Sequence, residues 1–479
     1  MILRRFHDDA LAQTSYLIGC PETGDAAIID PNRDVQHYID AASHAGLKIR
    51  LVTETHIHAD FVSGARELAQ RTGATLALSA EGGTDWQYRY TSSDDARLLH
   101  DRDTLDVGDV RLTARHTPGH TPEHIVFVAA DLTISDRPVG MFSGDFLFVG
   151  DVGRPDLLER AANEAGTMRA LAARLFQSIA ATADLPDYLQ IWPGHGAGSA
   201  CGKALGDMPS TTLGYERRVN WAFQIHDEGA FIREVTSDQP EIPKYFARMK
   251  TVNRDGPPPA PAANTPPQVD AHQIKRAIDE GDPVIDVRST ASFAEGHIPG
   301  TLNIPNGTSF TTWAGSLISP DRDILLLSDD PNRLAAARRK LALVGLDRVV
   351  GWGTRDAREE WAHDIGPLEC TKRIDVAALA GDTKRAIVDV RGASEWRSGH
   401  IAGASHLYLG DLERLSDDIP RDTPIAVHCQ GGTRSAIAAS LLQARGFTNV
   451  ANVVGGVKAW RAAGKPLVRE DSTSASPTD

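Results

Sequence analysis

The stretch TETHIHADFVSG, Thr53–Gly64, sets three metal-capable side chains, His56, His58 and Asp60, within five residues and then breaks the series with Phe61. Imidazole nitrogens and carboxylate oxygens carry the lone pairs that hold metal ions, and a phenyl ring has none. The stretch follows the short apolar run ending LV, so it reads as the loop after a β-strand. Similar residues recur where other apolar runs stop, in RLTARHTPGHT, MFSGD and YLQIWPGHG. Strand ends are where a rigid sheet delivers side chains to one rim. A lone histidine is most often a core or surface residue. Here His56, His58, Asp60, His116, His120, Asp145 and His195 all sit in short turns punctuated by Gly and Pro after strands, and that combination points to a metal site.

At 479 residues the chain is expected to hold more than one domain. Its formal charge of −14 is spread along the sequence, which argues against nucleic acid as a partner. No eighteen-residue apolar run occurs, so no membrane helix is expected, and the N-terminus does not read as a secretory signal. Cys20, Cys201, Cys370 and Cys429 are far apart, a pattern that fits a reduced, cytoplasmic setting better than a disulfide framework.

The segment GPPPAPAANTPPQ, residues 256–268, has six prolines in thirteen residues and reads as a linker. Beyond it the chain repeats itself. VIDVRSTASFAEGHIPG begins at Val284 and IVDVRGASEWRSGHIAG at Ile387. Asp286, Arg288, Gly296, His297, Ile298 and Gly300 recur 103 residues later as Asp389, Arg391, Gly399, His400, Ile401 and Gly403. Short apolar strands alternating with helical patterns give each copy a parallel-sheet α/β reading. The expected organisation is therefore a first domain over 1–255, the linker over 256–268, one repeat over 269–365, a second over 370–468, and a disordered tail over 469–479.

HIHAD, PGHT, SGD and PGH, in that order, resemble the signature of the metallo-β-lactamase fold, an αββα sandwich. Two-metal members of that superfamily usually have His directly after the Asp of the first motif, where this chain has Phe61. A second ion thus lacks a ligand, and a single metal is the better reading. Two imidazoles and one carboxylate with open positions form the pattern of non-haem Fe(II) oxygenases. His56, His120 and Asp145 are expected to supply it, with one Fe(II) per domain, while His58, Asp60 and His195 orient the ligands and water. THIHADFVSG, TPGHTPEH, FSGDFLFVGDVGRPDL and PGHGAGSACGKALGDMPSTTLGYERRVN resemble the persulfide dioxygenases. That family oxidises a low-molecular-weight thiol persulfide with O2 to sulfite. Cys201 then stands as a candidate sulfur carrier or channel residue, and His116 and His124 as structural residues. Lys203, Arg217 and Arg218 are weaker candidates for meeting the carboxylates of a thiol carrier.

IAVHCQGGTRSAIAASLL sets Cys429 between a strand and a helix, and Gln430, Gly431, Gly432 and Thr433 lead to Arg434. Backbone N–H groups and a helix N-terminus favour a thiolate or an anionic persulfide there. Arg434 can make a bidentate contact to a sulfur oxyanion. With IVDVR, SGHIAGA and GGVKAW, the segment resembles a rhodanese-type sulfurtransferase, a doubly wound parallel-sheet domain. The first copy reads LLLSDDPNR in the same place, and we expect Asp329 to stand where the sulfur carrier should be, leaving that copy inactive.

The order of the three domains resembles the persulfide dioxygenase–sulfurtransferase fusions of bacterial sulfide detoxification, which implies sulfite and thiosulfate as partners in the reaction. The competing reading is a glyoxalase II-like dinuclear thioester hydrolase fused to a sulfurtransferase. A homo-oligomer is the usual expectation for such an enzyme.

Overall fold

The computed structural model describes residues 1–157, 159, 166–203, 205–261, 265–417 and 419–469. The tail expected from residue 469 falls, from 470 on, outside them. The chain divides into two compact units, one of residues 1–262 together with 341–345 and one of the remainder.

The first unit is built on two six-stranded sheets. One runs in chain order through β1 (Ile2–Asp8), β2 (Gln13–Cys20), β3 (Asp25–Ile29), β4 (Lys48–Thr53), β5 (Thr75–Ser79) and β6 (Arg97–Leu99). The other comprises β7 (Thr104–Val107), β8 (Val110–His116), β9 (Ile125–Asp131), β10 (Pro138–Gly144), β11 (Gln190–Pro193) and β12 (Thr211–Thr212), again in chain order across the sheet. Alternation along the strands decides the layering, because successive side chains point to opposite faces. Ala27 and Ile29 of β3 share a core with Ile125, Phe127 and Ala129 of β9, between the sheets. Their neighbours Ala26 and Ile28 pack with Tyr38 and Leu68 of the helices Gln36–His44 and Ala65–Thr72. On the far side, Val126 and Val128 pack with Leu175 and Ile179 of the helix Thr167–Ala180. The result is the expected αββα order of layers.

The second unit holds two all-parallel sheets. The first, in the order β14-β13-β15-β16, uses β13 (Val284–Asp286), β14 (Leu302–Asn303), β15 (Ile324–Leu327) and β16 (Val349–Gly353). The second, in the order β17-β21-β20-β18-β19, uses β17 (Lys372–Ile374), β18 (Ala386–Asp389), β19 (Ala404–His406), β20 (Ile425–His428) and β21 (Val450–Val453). The proline-rich segment is tied down at both described ends. Pro258 and Pro259 carbonyls accept from Arg33, and Pro266 and Pro267 carbonyls accept from the side chain and backbone of Trp352.

The residues repeated at an interval of 103 build one structural device twice. Arg391 donates to Asp389 at 3.0 and 2.6 Å and to the Gly399 carbonyl at 2.9 Å. Arg288 repeats this with Asp286 and Gly296 at the same distances. Behind each pair a histidine lies flat on an aromatic ring, His297 on Phe293 at 3.7 Å and His400 on Trp396 at 3.5 Å. The repeat therefore encodes the brace of the fold rather than its chemistry. Asp389 and Arg391 are both buried, so removing one partner strands a charge. Arg391→Ala is expected to lower stability by about 3–5 kcal/mol, read as a lower urea midpoint for the transition of this unit.

Candidate metal centre and cysteine loop

The loops after β4, β8, β10 and β11 bring His56, His58, Asp60, His120, Asp145 and His195 into one buried cluster, each at most 4% exposed. Candidate ligand atoms of His56, His120 and Asp145 lie within 4.8 Å of one another. Those of Asp60, His195 and Cys201 form a second such group. His58 joins neither; its Nε2 faces Asp30 Oδ1 at 3.1 Å, and Phe61 lies against its ring at 4.4 Å. His116 also stays out, with its Nε2 donating to the Pro122 carbonyl.

Three imidazoles are held in one tautomer by what their Nδ1 atoms meet. His120 Nδ1 donates to the Arg154 carbonyl at 3.1 Å, and His195 Nδ1 to the Ala12 carbonyl at 2.9 Å. Thr55 Oγ1 gives its proton to Asp30 Oδ2 and so accepts from His56 Nδ1 at 3.0 Å. Each ring thus turns an unprotonated Nε2 into the cluster, the arrangement that readies imidazole for a metal. Opposite them, both carboxylate oxygens of Asp145 and Oδ2 of Asp60 are buried without a hydrogen-bond partner. His120 Nε2 stands 3.4 Å from Asp145, and His195 Nε2 stands 3.3 Å from Asp60. Lone pairs converging on lone pairs fit a cation, and the donor set suits a divalent one.

At His56, His120 and Asp145 the electrostatics agree. Burial, then the neighbouring imidazoles, hold His56 well below its ordinary pKa, and burial likewise lowers His120. Burial would raise Asp145, but His195 and His120 overcome it and the carboxyl falls below its usual value. The same imidazoles and carboxylates face Cys201, whose thiol is pushed well up by burial and then by Asp145 and Asp60.

Four residues support this cluster in roles that the motifs do not state. Asp30, at the end of β3, accepts from the Thr55 N–H at 2.7 Å and thereby sets the turn carrying His56. His124 accepts the Asp145 N–H on Nε2 at 3.1 Å while its Nδ1 donates to Thr117, so it places the carboxylate. Arg154, fully buried with Asp156, gives its carbonyl to His120 and its guanidinium to the Ala200 carbonyl. This explains the GRPD segment: it joins the His120 turn to the one carrying Cys201. Glu123 accepts the Ile57 N–H at 2.8 Å, and burial raises its carboxyl to about 7. Of the basic candidates, Lys203 is paired with Glu234 and Arg217 with Asp187.

In the second unit, Cys429 follows β20, and its sulfur accepts the Gly432 N–H at 3.1 Å, while Ser435 Oγ stands 3.5 Å from it and gives its proton to Asn452 Oδ1 at 2.7 Å. Gly432 has φ +106°, as the loop requires to turn that N–H inward. A Cβ on Gly456 would stand 2.0 Å from the Cys429 carbonyl, which accounts for the GGV segment. Arg434 does not stand free: it donates to Glu395 at 2.5 and 2.8 Å.

The first copy needs a correction. The Leu327 carbonyl accepts the Val287 N–H just as the His428 carbonyl accepts that of Val390, so Ser328, and not Asp329, occupies the register of Cys429. Asp329 lies one residue on, paired with Arg358 at 2.6 Å. Ser328 Oγ accepts the Asp330 N–H, and a helix starts at once at Pro331, leaving no glycine loop. A hydroxyl in that place holds no sulfane sulfur.

The sequence model of the metallo-beta-lactamase superfamily matches residues 8–195, and that of the rhodanese-like domain matches 270–352 and 374–463. A hydroxyacylglutathione hydrolase from Polaromonas sp. (strain JS666) is 33% identical over 281 residues, 52% of this chain and 98% of that protein. The chain belongs to the metallo-β-lactamase superfamily and carries two rhodanese-like domains. A metallo-beta-lactamase from Staphylococcus aureus subsp. aureus COL superposes on this superfamily member with a TM-score of 0.67 at 40% identity, covering 74% of this chain and 99% of that one. The mitochondrial persulfide dioxygenase ETHE1 of Bos taurus is 26% identical over 166 residues, 34% of this chain and 59% of that protein. The chain spans about 60% of the length of the first curated relatives it matches. The superfamily fold together with the group His56, His120 and Asp145 implies metal binding.

Two substitutions probe the supports of the centre. A Cβ on Gly153 would stand 1.8 Å from the Asp145 carbonyl, so Gly153→Ala should weaken metal binding about 10–100-fold, read by metal titration. Glu123 has a folded-state pKa of about 7 against an ordinary 4.5, so its contribution favours folding below pH 4.5 and is lost as pH rises through 7. Glu123→Gln keeps an acceptor for Ile57 and removes that loss. Its melting temperature relative to the parent should rise between pH 5 and pH 8, by an amount equivalent to about 3 kcal/mol.

Proposed function

We propose that the first domain is a mononuclear iron persulfide dioxygenase and that Cys429 of the last domain is a sulfur carrier producing thiosulfate. The observation that carries this reading is the group His56, His120 and Asp145, two imidazoles and a carboxylate, beside a Phe61 that offers no further ligand. Ferrous iron held by those three residues supplies open positions and electrons for oxidising a persulfide sulfur with O2. The overall change balances as R–S–SH + O2 + H2O giving R–SH, sulfite and two protons. The chain's own residues keep the imidazoles neutral through Thr55 and Arg154, hold Asp145 ionised, and place Cys201, Phe61 and Phe148 as buried walls that exclude water.

In the last domain, the Cys429 thiolate attacks the outer sulfur of a persulfide, R–S–SH, and R–SH leaves with the proton. Sulfite then takes that sulfur from the Cys429 persulfide, which regenerates the thiolate and yields thiosulfate. The Gly432 N–H holds the charge on sulfur. Cytoplasmic operation with a low-molecular-weight thiol such as glutathione belongs to the same reading.

The second group, Asp60, His195 and Cys201, together with the likeness to a hydroxyacylglutathione hydrolase, favours the dinuclear hydrolase as the alternative. The test is O2 uptake by iron-loaded protein given glutathione persulfide. We expect uptake with sulfite and thiosulfate as products, a loss of at least 100-fold in Asp145→Ala, and sulfite alone in Cys429→Ser. Hydrolysis of a glutathione thioester without O2 uptake would return the domain to the hydrolases.

A further inference from the structure

The Arg434 side chain ends in an ion pair that the sulfur-transfer reaction does not require. Its Nη1 and Nη2 both donate to the Glu395 carboxylate, at 2.5 and 2.8 Å. Glu395 lies in the helix Ala393–Ser398 and also accepts the Gly392 N–H at 3.2 Å, so a backbone bond independent of Arg434 holds it in place. Its side chain is 34% exposed and that of Arg434 24%, so the pair lines the accessible side of the cysteine loop. Gln430 and Gly431 beside it are exposed, whereas the Cys429 sulfur sits at the floor.

The fork that a sulfur oxyanion would use is thus filled by a carboxylate of the protein itself. A bidentate carboxylate cancels the guanidinium charge and matches its geometry as well as a sulfonate edge does. Sulfite and thiosulfate must displace Glu395 or bind against it, and each is a dianion that the carboxylate repels. A thiol persulfide brings its sulfur on a neutral or singly charged end and needs no fork.

Resting on the sulfurtransferase reading above, we propose that Glu395 is a specificity-determining residue, which sets the loop to favour thiol persulfides over thiosulfate as sulfur donors by occupying Arg434. The two transfers being compared are both balanced displacements. From thiosulfate, the Cys429 thiolate takes the sulfane sulfur and sulfite leaves with the electron pair of the S–S bond. From glutathione persulfide, the thiolate takes the outer sulfur and glutathione leaves with the proton. Glu395 leaves the equilibrium between these species unchanged; it weakens the binding of sulfur oxyanions in both directions.

The test compares kcat/KM for sulfur loss from thiosulfate and from glutathione persulfide in the full chain, with cyanide as acceptor. Glu395→Gln keeps an acceptor for Gly392 N–H but releases the Arg434 charge. The ratio of thiosulfate to persulfide kcat/KM should rise about tenfold, through a lower KM for thiosulfate. In Glu395→Gln/Arg434→Ala the gain should disappear, because the effect runs through Arg434. In the Cys429→Ser background, which cannot turn over, thiosulfate binding measured by calorimetry should tighten by the same factor when Glu395 becomes Gln. An unchanged ratio, including one where both donors lose activity together, would overturn the proposal and leave Glu395 a structural partner of Arg434. Failure of the parent chain to gain a sulfur mass on Cys429 from either donor would instead overturn the sulfurtransferase reading, and this inference with it.

Discussion

Buried lone pairs need partners, and the first unit supplies them on one side only. His56, His120 and His195 each give their Nδ1 proton to an oxygen of the protein, from Thr55, Arg154 and Ala12. Their other nitrogens converge on carboxylate oxygens that accept no hydrogen bond. Such an arrangement is costly without a cation, and the strands meeting at this rim are shaped by it. Gly144, with φ +48°, lets the end of β10 approach Thr55, where a Cβ would come within 2.3 Å of the hydroxyl. The layered sheets are ordinary; the rim where their ends meet is where the sequence is constrained.

Much of this is legible in the sequence because the ligands come in short motifs directly after strands. The four layers are what the resemblance carried by those motifs implies, and the two later domains follow from a repeat with a fixed interval. What escapes is the support. Asp30 acts on Thr55, Arg154 on His120 and His124 on Asp145, pairings between motifs that no local pattern announces. His124 reads as an ordinary structural residue until its ring is seen holding the Asp145 amide. The Cys201 turn shows the same limit. Its distance in sequence from Asp60 hides the fact that the two share a cluster with His195.

The tandem domains teach a different lesson. The residues that announce the repeat, an Asp, an Arg and a Gly-His-Ile run, form a buried brace in both copies. Chemistry lies in the loop after β20, and the copies differ there and in the matching loop after β15. There a shift of one position changes which residue replaces the cysteine, and the backbone register identifies it as Ser328. Strand pairing fixes such a register more firmly than a string comparison across a loop of changed length. Arg434 shows that even an intact loop is incomplete when read alone, since its partner Glu395 lies 39 residues earlier.

The central claim is that one ion sits on His56, His120 and Asp145 while Asp60, His195 and Cys201 hold none. The most direct test is elemental analysis of the full chain after loading with ferrous iron under anaerobic conditions, alongside Asp145→Ala and Cys201→Ala. The account predicts about one iron per chain, lost in Asp145→Ala and retained in Cys201→Ala. Two metal ions per chain, falling to one in Cys201→Ala, would contradict it and establish the second group as a metal site.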